Sequence, residues 1–157
     1  MRGMAVNLSE GDVRILRLLQ KDAARPRREL AEEAAMSATT LWRRVHDLEA
    51  SGAIRRRVAL LDPDKLGFPV CVLVQIDLAN YERPTREAFE RFVDAAPQIM
   101  QCFAMTGGND YAMIVRARSV ADFERFLTEH ILAHPSVATA SSQVALRQTK
   151  DETALPL

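Results

Sequence analysis

The stretch PRRELAEEAAMSATTLWRRVHDLEASG, residues 26–52, decides the reading of this chain. Proline disfavours helix at the residue before it and is welcome in a first turn, so Arg25-Pro26 ends a connection and opens a short helix. That helix is predicted from about Pro26 to Ala35, with Leu30, Ala31 and Ala34 inward. Met36-Ser37 makes a tight turn, Ser37 caps a third helix over Ala38–Ala50, and Gly52 supplies its left-handed stop. A short helix, a turn and a longer capped helix are the sequence form of a helix-turn-helix. On the third helix Ala38, Leu41, Val45 and Leu48 form the apolar stripe. At 100° per residue the opposite face carries Thr39, Arg43, His46 and Asp47, with Trp42 and Arg44 on opposite flanks.

Working outward, Ser9 is placed to cap a first helix of about ten residues, with Asp12 completing a variant of the capping box. Leu8, Asp12, Ile15, Leu16 and Leu19 fall on its helical spacing. After the third helix, Ile54, Val58 and Leu60 alternate with polar or small residues around Arg55-Arg56-Arg57, which predicts a short basic strand. A basic hairpin beside a basic helix is a winged arrangement, suited to phosphates on both sides of a groove.

Asp62-Pro63-Asp64-Lys65-Leu66-Gly67 is turn-rich and marks a boundary. The expected division is a winged helix-turn-helix domain over 1–61, a linker over 62–68 and a second domain over 69–157. In that second domain Val70 to Leu78 alternates as a strand, and Thr85 to Ala96 is an amphipathic helix. Ile99 to Thr106 and Tyr111 to Arg118 are strands joined across Gly107-Gly108-Asn109-Asp110. Val120 to His134 is a second helix, with Phe123, Phe126, Leu127 and Ile131 inward, and Val137 to Leu146 is a last strand. The order βαββαβ implies an α+β, ferredoxin-like unit: an antiparallel four-stranded sheet with both helices on one face. Its other face is left bare, which predicts pairing with a second copy.

Composition fits two small domains. The chain has 157 residues and is 48% hydrophobic, and no apolar run approaches the ~20 residues of a membrane helix. Without a signal-peptide core at Met1-Arg2-Gly3-Met4, a cytoplasmic, nucleoid-associated protein is expected. Its formal net charge is zero, yet residues 1–61 hold twelve Lys and Arg against eight Asp and Glu, and residues 62–157 hold nine against thirteen. A basic module is thus joined to an acidic one, which points to different partners for the two. Cys71 and Cys102 lie in apolar strands and read as small core residues. His130 and His134 are four apart on a helix, but their order around Glu129 does not match a zinc-protease motif and no third ligand is nearby. Neither a nucleophile with a base at suitable spacing nor a cofactor fingerprint is present, so no enzyme activity and no cofactor are expected.

Several segments taken together resemble the Lrp/AsnC, or feast/famine, family of transcription regulators. In the first half these are Leu30-Ala31, Ser37, Arg43-Arg44-Val45, Leu48-Glu49, Gly52-Ala53-Ile54 and Ala59-Leu60-Leu61-Asp62. In the second they are Thr106-Gly107, Asp110-Tyr111 and the tail Lys150-Asp151-Glu152-Thr153-Ala154-Leu155-Pro156-Leu157. The resemblance implies a regulator that binds double-stranded DNA sequence-specifically as a dimer. Its second domain is expected to assemble dimers into larger rings, an octamer among them, and to bind a small amino-acid effector between dimers. A chromosome-organising protein with no effector would use the same two domains, and an amino-acid-binding module of an enzyme would lack the first.

The expected DNA-contacting residues are Arg28, Ser37, Thr39, Thr40, Trp42, Arg43, Arg44, His46, Arg55 and Arg56. Arg43 is the candidate for a bidentate guanine contact or for a phosphate, and Arg44 for an interhelical tie or a phosphate. Trp42 is expected to pack in the core, with a thymine methyl as the alternative. Carried over from the resemblance, the effector site draws on Gly107, Gly108 and Asp110 of the hairpin and on Ala140, Ser142 and Gln143 of the last strand. Here the chain departs from the family pattern. Gly108 and Asn109 stand where an acidic and an aromatic residue are common, and Ala140 replaces the first of two hydroxyl residues one apart.

Overall fold

A computed structural model describes residues 6–157. Its contacts separate into two units: residues 6–60 together with Lys150–Leu157, and Leu61–Thr149.

The first unit is built on three helices, α1 (Glu10–Leu19), α2 (Arg27–Glu33) and α3 (Ala38–Ala50). At the start of α1 the Ser9 hydroxyl accepts from Asp12 N–H while the Asp12 carboxylate accepts from Ser9 N–H, so two otherwise orphaned donors are satisfied. Ser37 caps α3 in the expected way, its hydroxyl accepting from Thr40 N–H. Gly52 follows at φ +77°, where a side chain would be strained. Helix α2 is shorter than predicted: Pro26 is its N-cap, and the turn after it holds Ala35 at φ +55°. The core gathers Ile15, Leu30, Ala31, Ala34, Leu41, Val45 and Leu48. Ala38 lies outside it, exposed at the first position of α3.

The predicted basic strand around Arg55–Arg57 is absent; residues 55–62 carry no strand. Val58 and Leu60 are exposed, because a strand needs a ladder partner and none is available among the described residues of one chain. The tail, assigned by sequence to the second domain, packs instead within the first unit. The Gln20 side-chain amide donates to Leu155 O at 2.8 Å and accepts from Leu155 N–H at 2.9 Å, and Arg17 Nε donates to Leu157 O at 2.6 Å.

The second unit runs β1 (Val70–Leu78), α4 (Arg83–Ala95), β2 (Ile99–Ala104), β3 (Tyr111–Ala117), α5 (Val120–Phe126) and β4 (Val137–Val144). Its sheet is antiparallel throughout, in the order β2-β3-β1-β4. Alternation along β1 and β3 sends Val72, Val74, Ile76, Met113 and Val115 to one face, where Phe89 of α4 and Phe123 and Phe126 of α5 join them in a single core. Both helices therefore cover the same face, as the βαββαβ order implies. The helix predicted to reach His134 changes pitch first: Leu127–Ile131 is a π turn, with Leu132 N–H bonded to Leu127 O, and Ile131 is fully buried there. Cys71 and Cys102 are half-buried rather than fully enclosed. On the uncovered face Leu73 pairs with Ile114, and Phe103 with Ala112, which makes an apolar centre bordered by Gln75 and Gln101. Leu73 and Phe103 are 47% and 52% exposed.

Candidate functional site

Ion pairing sorts the arginines around the helix-turn-helix. Arg44 lies over the start of α1, donating to the Ser9 hydroxyl at 2.9 Å and to the Asp12 carboxylate at 2.8 Å. The Ser9 hydroxyl donates to the Asp12 carboxylate at 2.6 Å, and this bond first, then the Ser9 N–H and the Arg44 guanidinium, hold the Asp12 carboxyl below its ordinary value of 3.8. Of the two roles open to Arg44 in the sequence, the interhelical tie is therefore the one occupied. Arg25 bonds Glu33 and holds that carboxyl below its usual range, Arg28 pairs with Glu32, and Arg57 with Glu49. Arg27, Arg43, Arg55 and Arg56 have no carboxylate partner among the described residues. Exposed pairs such as Arg28–Glu32 are weak and open readily, whereas in the half-buried Arg44–Asp12 pair Arg44 is held by two bonds, to Asp12 and to Ser9.

The exposed face of α3 presents Thr39, Arg43 and His46 to solvent as predicted. Ser37 and Thr40 are engaged with each other at the cap, hydroxyl to hydroxyl at 2.9 Å. Trp42 departs from the expectation of core packing. It is 46% exposed, and the Arg27 guanidinium lies 4.0 Å from its ring centroid. Arg27 is a residue that sequence reasoning missed, because the stack joins two helices whose approach no local pattern encodes.

In the second unit, Asp110 ends the β1–β3 ladder. Its N–H donates to Ile76 O at 3.0 Å, and its carboxylate Oδ2 accepts from Leu78 N–H at 2.8 Å. In an antiparallel pair O(i) and N–H(i+2) face the same neighbour, so the side chain stands in for the carbonyl that one more ladder residue would have supplied. Gly107 sits at φ +127°, with open space where a side chain would be. Beside Asp110, the Asp77 carboxylate accepts from the Thr139 hydroxyl at 2.6 Å and from the Asn109 amide at 3.0 Å. These bonds, Thr139 first, lower the Asp77 pKa below 3.8.

The β4 residues expected at the effector site do not share a face. Ala140 pairs with Ile76 and Ser142 with Val74 on the helix-covered side, whereas Gln143 pairs with Leu73 on the bare side. The residue of β4 tied to the hairpin is Thr139, which shares the bare face with Ser141. These two hydroxyls are one residue apart, one position before Ala140 and Ser142. Asp77, Asn109, Thr139 and Ser141 were not among the residues expected at the effector site, because the bonds around Asp77 join three separate segments.

At the other end of α5 the His134 Nδ1 accepts from Ser136 N–H, and its ring lies 5.0 Å from that of Phe92; burial pushes its pKa down. No metal-holding cluster occurs among the described residues. None of the described helices is long and apolar enough to cross a membrane.

The model of the AsnC-type helix-turn-helix domain matches residues 8–49, and that of the Lrp/AsnC ligand binding domain matches residues 71–155. The chain belongs to the Lrp/AsnC family. This Lrp/AsnC protein is 32% identical over 154 residues to the glutamate uptake regulatory protein of Zymomonas mobilis, a match covering 98% of this chain and 93% of that one. It is 35% identical over 146 residues to the Bkd operon transcriptional regulator of Pseudomonas aeruginosa, covering 93% and 95%. Among solved structures, a transcriptional regulator from Neisseria meningitidis in complex with L-Met superposes with a TM-score of 0.91 at 30% identity, covering 96% of this chain and 97% of that one. An AsnC family regulator from Agrobacterium tumefaciens gives 0.90 at 34%, covering 95% and 97%. The Lrp/AsnC chain is thus a DNA-binding transcriptional regulator and not an enzyme.

Proposed function

We propose that this regulator reads its operators through the exposed face of α3, and that an amino acid bound at the hairpin end of the second unit's sheet modulates it. The observation that carries the DNA half is the sorting of the arginines. Arg43 is unpaired between Thr39 and His46 on α3 and is the residue assigned to base reading, while Arg55 and Arg56 are assigned to phosphates. Ser37 and Thr40 contribute hydroxyls at the start of the same helix, Arg28 joins once its surface pair with Glu32 opens, and Arg44 supports α3 from behind.

An amino acid presents an ammonium and a carboxylate, so its pocket needs an anion at one end and donors at the other. The open backbone of Gly107 and Gly108 and the second carboxylate oxygen of Asp110 offer both. Support also comes from the L-Met complex of the Neisseria regulator and the glutamate uptake regulator of Zymomonas. Thr139 and Ser141, and with them Gln143, present polar groups on the same side of β4; Ala140 and Ser142 shape its other side. The protein acts as a dimer paired through the bare apolar sheet face, and dimers close into a ring such as an octamer.

The test is a thermal-shift screen of the twenty amino acids on the wild type and on Asp110→Asn, which keeps an acceptor for Leu78 N–H. One amino acid is expected to raise the melting temperature of the wild type and not of the variant. A full rise in Asp110→Asn moves the ammonium site elsewhere, and no rise with any amino acid removes the effector reading. For the DNA half, failure of the intact protein to bind its own upstream region at low salt removes the assignment of α3.

A further inference from the structure

Three arginines cluster at the start of α2, and two are neutralised: Arg25 by Glu33 and Glu29, Arg28 by Glu32. Arg27 between them has no carboxylate partner among the described residues and lies over the indole of Trp42. Trp42 is the only tryptophan of the chain, and it is half exposed on the helix that carries Arg43. Thr39 is three residues before it and His46 four after, so the indole adjoins the exposed face of α3 at one edge. A large aromatic side chain left exposed in this way gains little from burial. The planar guanidinium on its face supplies what is missing, because a ring quadrupole attracts a cation and stacking leaves the N–H edges of the fork pointing outward.

We propose that Arg27 and Trp42 form one contact unit for the DNA backbone, in which the indole is a shelf that holds the guanidinium extended and Arg27 donates to a phosphate oxygen at the edge of the groove entered by α3. Trp42 is a positioning residue in this unit, and Arg27 is the one that touches DNA. The ligand chemistry is a phosphodiester, so the contact adds affinity without reading sequence. An arginine already ordered on an aromatic face loses less side-chain freedom when it meets a phosphate than a free one does. The inference rests on α3 carrying the DNA-facing surface.

The test uses the intact protein with two duplexes of equal length, one from upstream of its own gene and one of random sequence, and follows affinity against salt together with Trp42 emission. Saturating random duplex is expected to change the wild-type emission, since a phosphate bound to the stacked guanidinium alters the field at the indole beneath it. Arg27→Ala should lower the slope of log affinity against log salt by about 0.9 for each protomer engaged and weaken both duplexes alike. Trp42→Ala should give a similar loss in affinity, and the double variant should be no worse than the worse single one, whereas Trp42→Phe keeps a ring face and most of the affinity. Arg27→Lys, which keeps the charge without the planar fork, should retain the slope.

An unchanged slope in Arg27→Ala overturns the proposal, as do losses that add fully in the double variant or an emission that ignores DNA. If the wild type binds and Arg43→Ala loses discrimination while Arg27→Ala changes nothing, the contact unit alone is wrong. If the wild type binds neither duplex at low salt, the assignment of the α3 surface fails with it.

Discussion

Arg43 and Arg44 are neighbours in sequence, yet replacing each with alanine should have opposite consequences. Arg44 donates two bonds, 2.9 Å to Ser9 and 2.8 Å to Asp12, with side-chain exposures of 35% for itself and 16% for Asp12. Bonds to charged groups contribute about 1.5–3 kcal/mol, and partial exposure reduces this to roughly 1–2 kcal/mol for Arg44→Ala, since Asp12 keeps its bonds to Ser9. With a urea dependence near 2 kcal/mol per molar, the unfolding midpoint should fall by about 0.5–1 M. Trp42 is the sole tryptophan and lies in the first unit, so its emission follows that unit selectively. Arg43 bonds to nothing among the described residues, and Arg43→Ala should shift the same midpoint by less than about 0.5 kcal/mol equivalent. It should instead reduce discrimination between operator and random duplex by about 1–3 kcal/mol, or roughly 5- to 150-fold. Arg44→Ala should leave that ratio unchanged. A wild-type midpoint for Arg44→Ala, or undiminished discrimination in Arg43→Ala, refutes the division of roles by ion pairing.

Phe89 is fully buried, with ring centroids of Tyr111 at 4.8 Å and Phe92 at 6.2 Å, so Phe89→Ala should destabilise the second unit by about 3–5 kcal/mol, read by chemical unfolding followed by circular dichroism. The Asp12 pKa is lowered in the folded state, so its contribution is complete above the unfolded value, near 3.8, and is lost as pH falls through the folded value. Trp42-monitored stability should therefore fall in that acid range in the wild type and fall less steeply in Asp12→Asn. Placing a charge on the bare sheet face with Leu73→Glu should lower the oligomeric mass measured by sedimentation; a variant with the wild-type mass would move the self-association surface elsewhere.

What could be read from sequence was what is decided locally. The cap Ser37, the bounds of α3 and the stop at Gly52 depend on bonds within four residues. The span of β1 is likewise written in its own alternation, Val72, Val74 and Ile76 against Leu73 and Gln75. The basic strand at Ile54–Leu60 was misread because alternation states a preference, while a ladder requires a partner elsewhere. The pairing of Arg44 and the stacking of Arg27 depend on residues brought close only by the tertiary fold, 32 and 15 positions away. At the hairpin, Asp110 is named from its place in the turn, but its bond to Leu78 depends on where the β1–β3 ladder stops. The same is true of Thr139: the register of β4 against β1 decides that it, rather than Ala140, meets Asp77.

The clamp of Gln20 on Leu155 joins positions 135 apart, and that of Arg17 on Leu157 joins positions 140 apart, with the whole second unit threaded between them. During synthesis the three helices leave the ribosome long before their last contacts exist. At elongation rates of about 5–20 residues per second, the stretch from Leu60 to Leu157 takes several seconds to appear. For that interval α1 has an unoccupied edge, and the nascent helices depend on their own small core. Closing a loop of this length from a disordered chain is entropically costly. Removing Leu155–Leu157 would leave α1 without these three bonds and its edge exposed, as it is before the tail arrives.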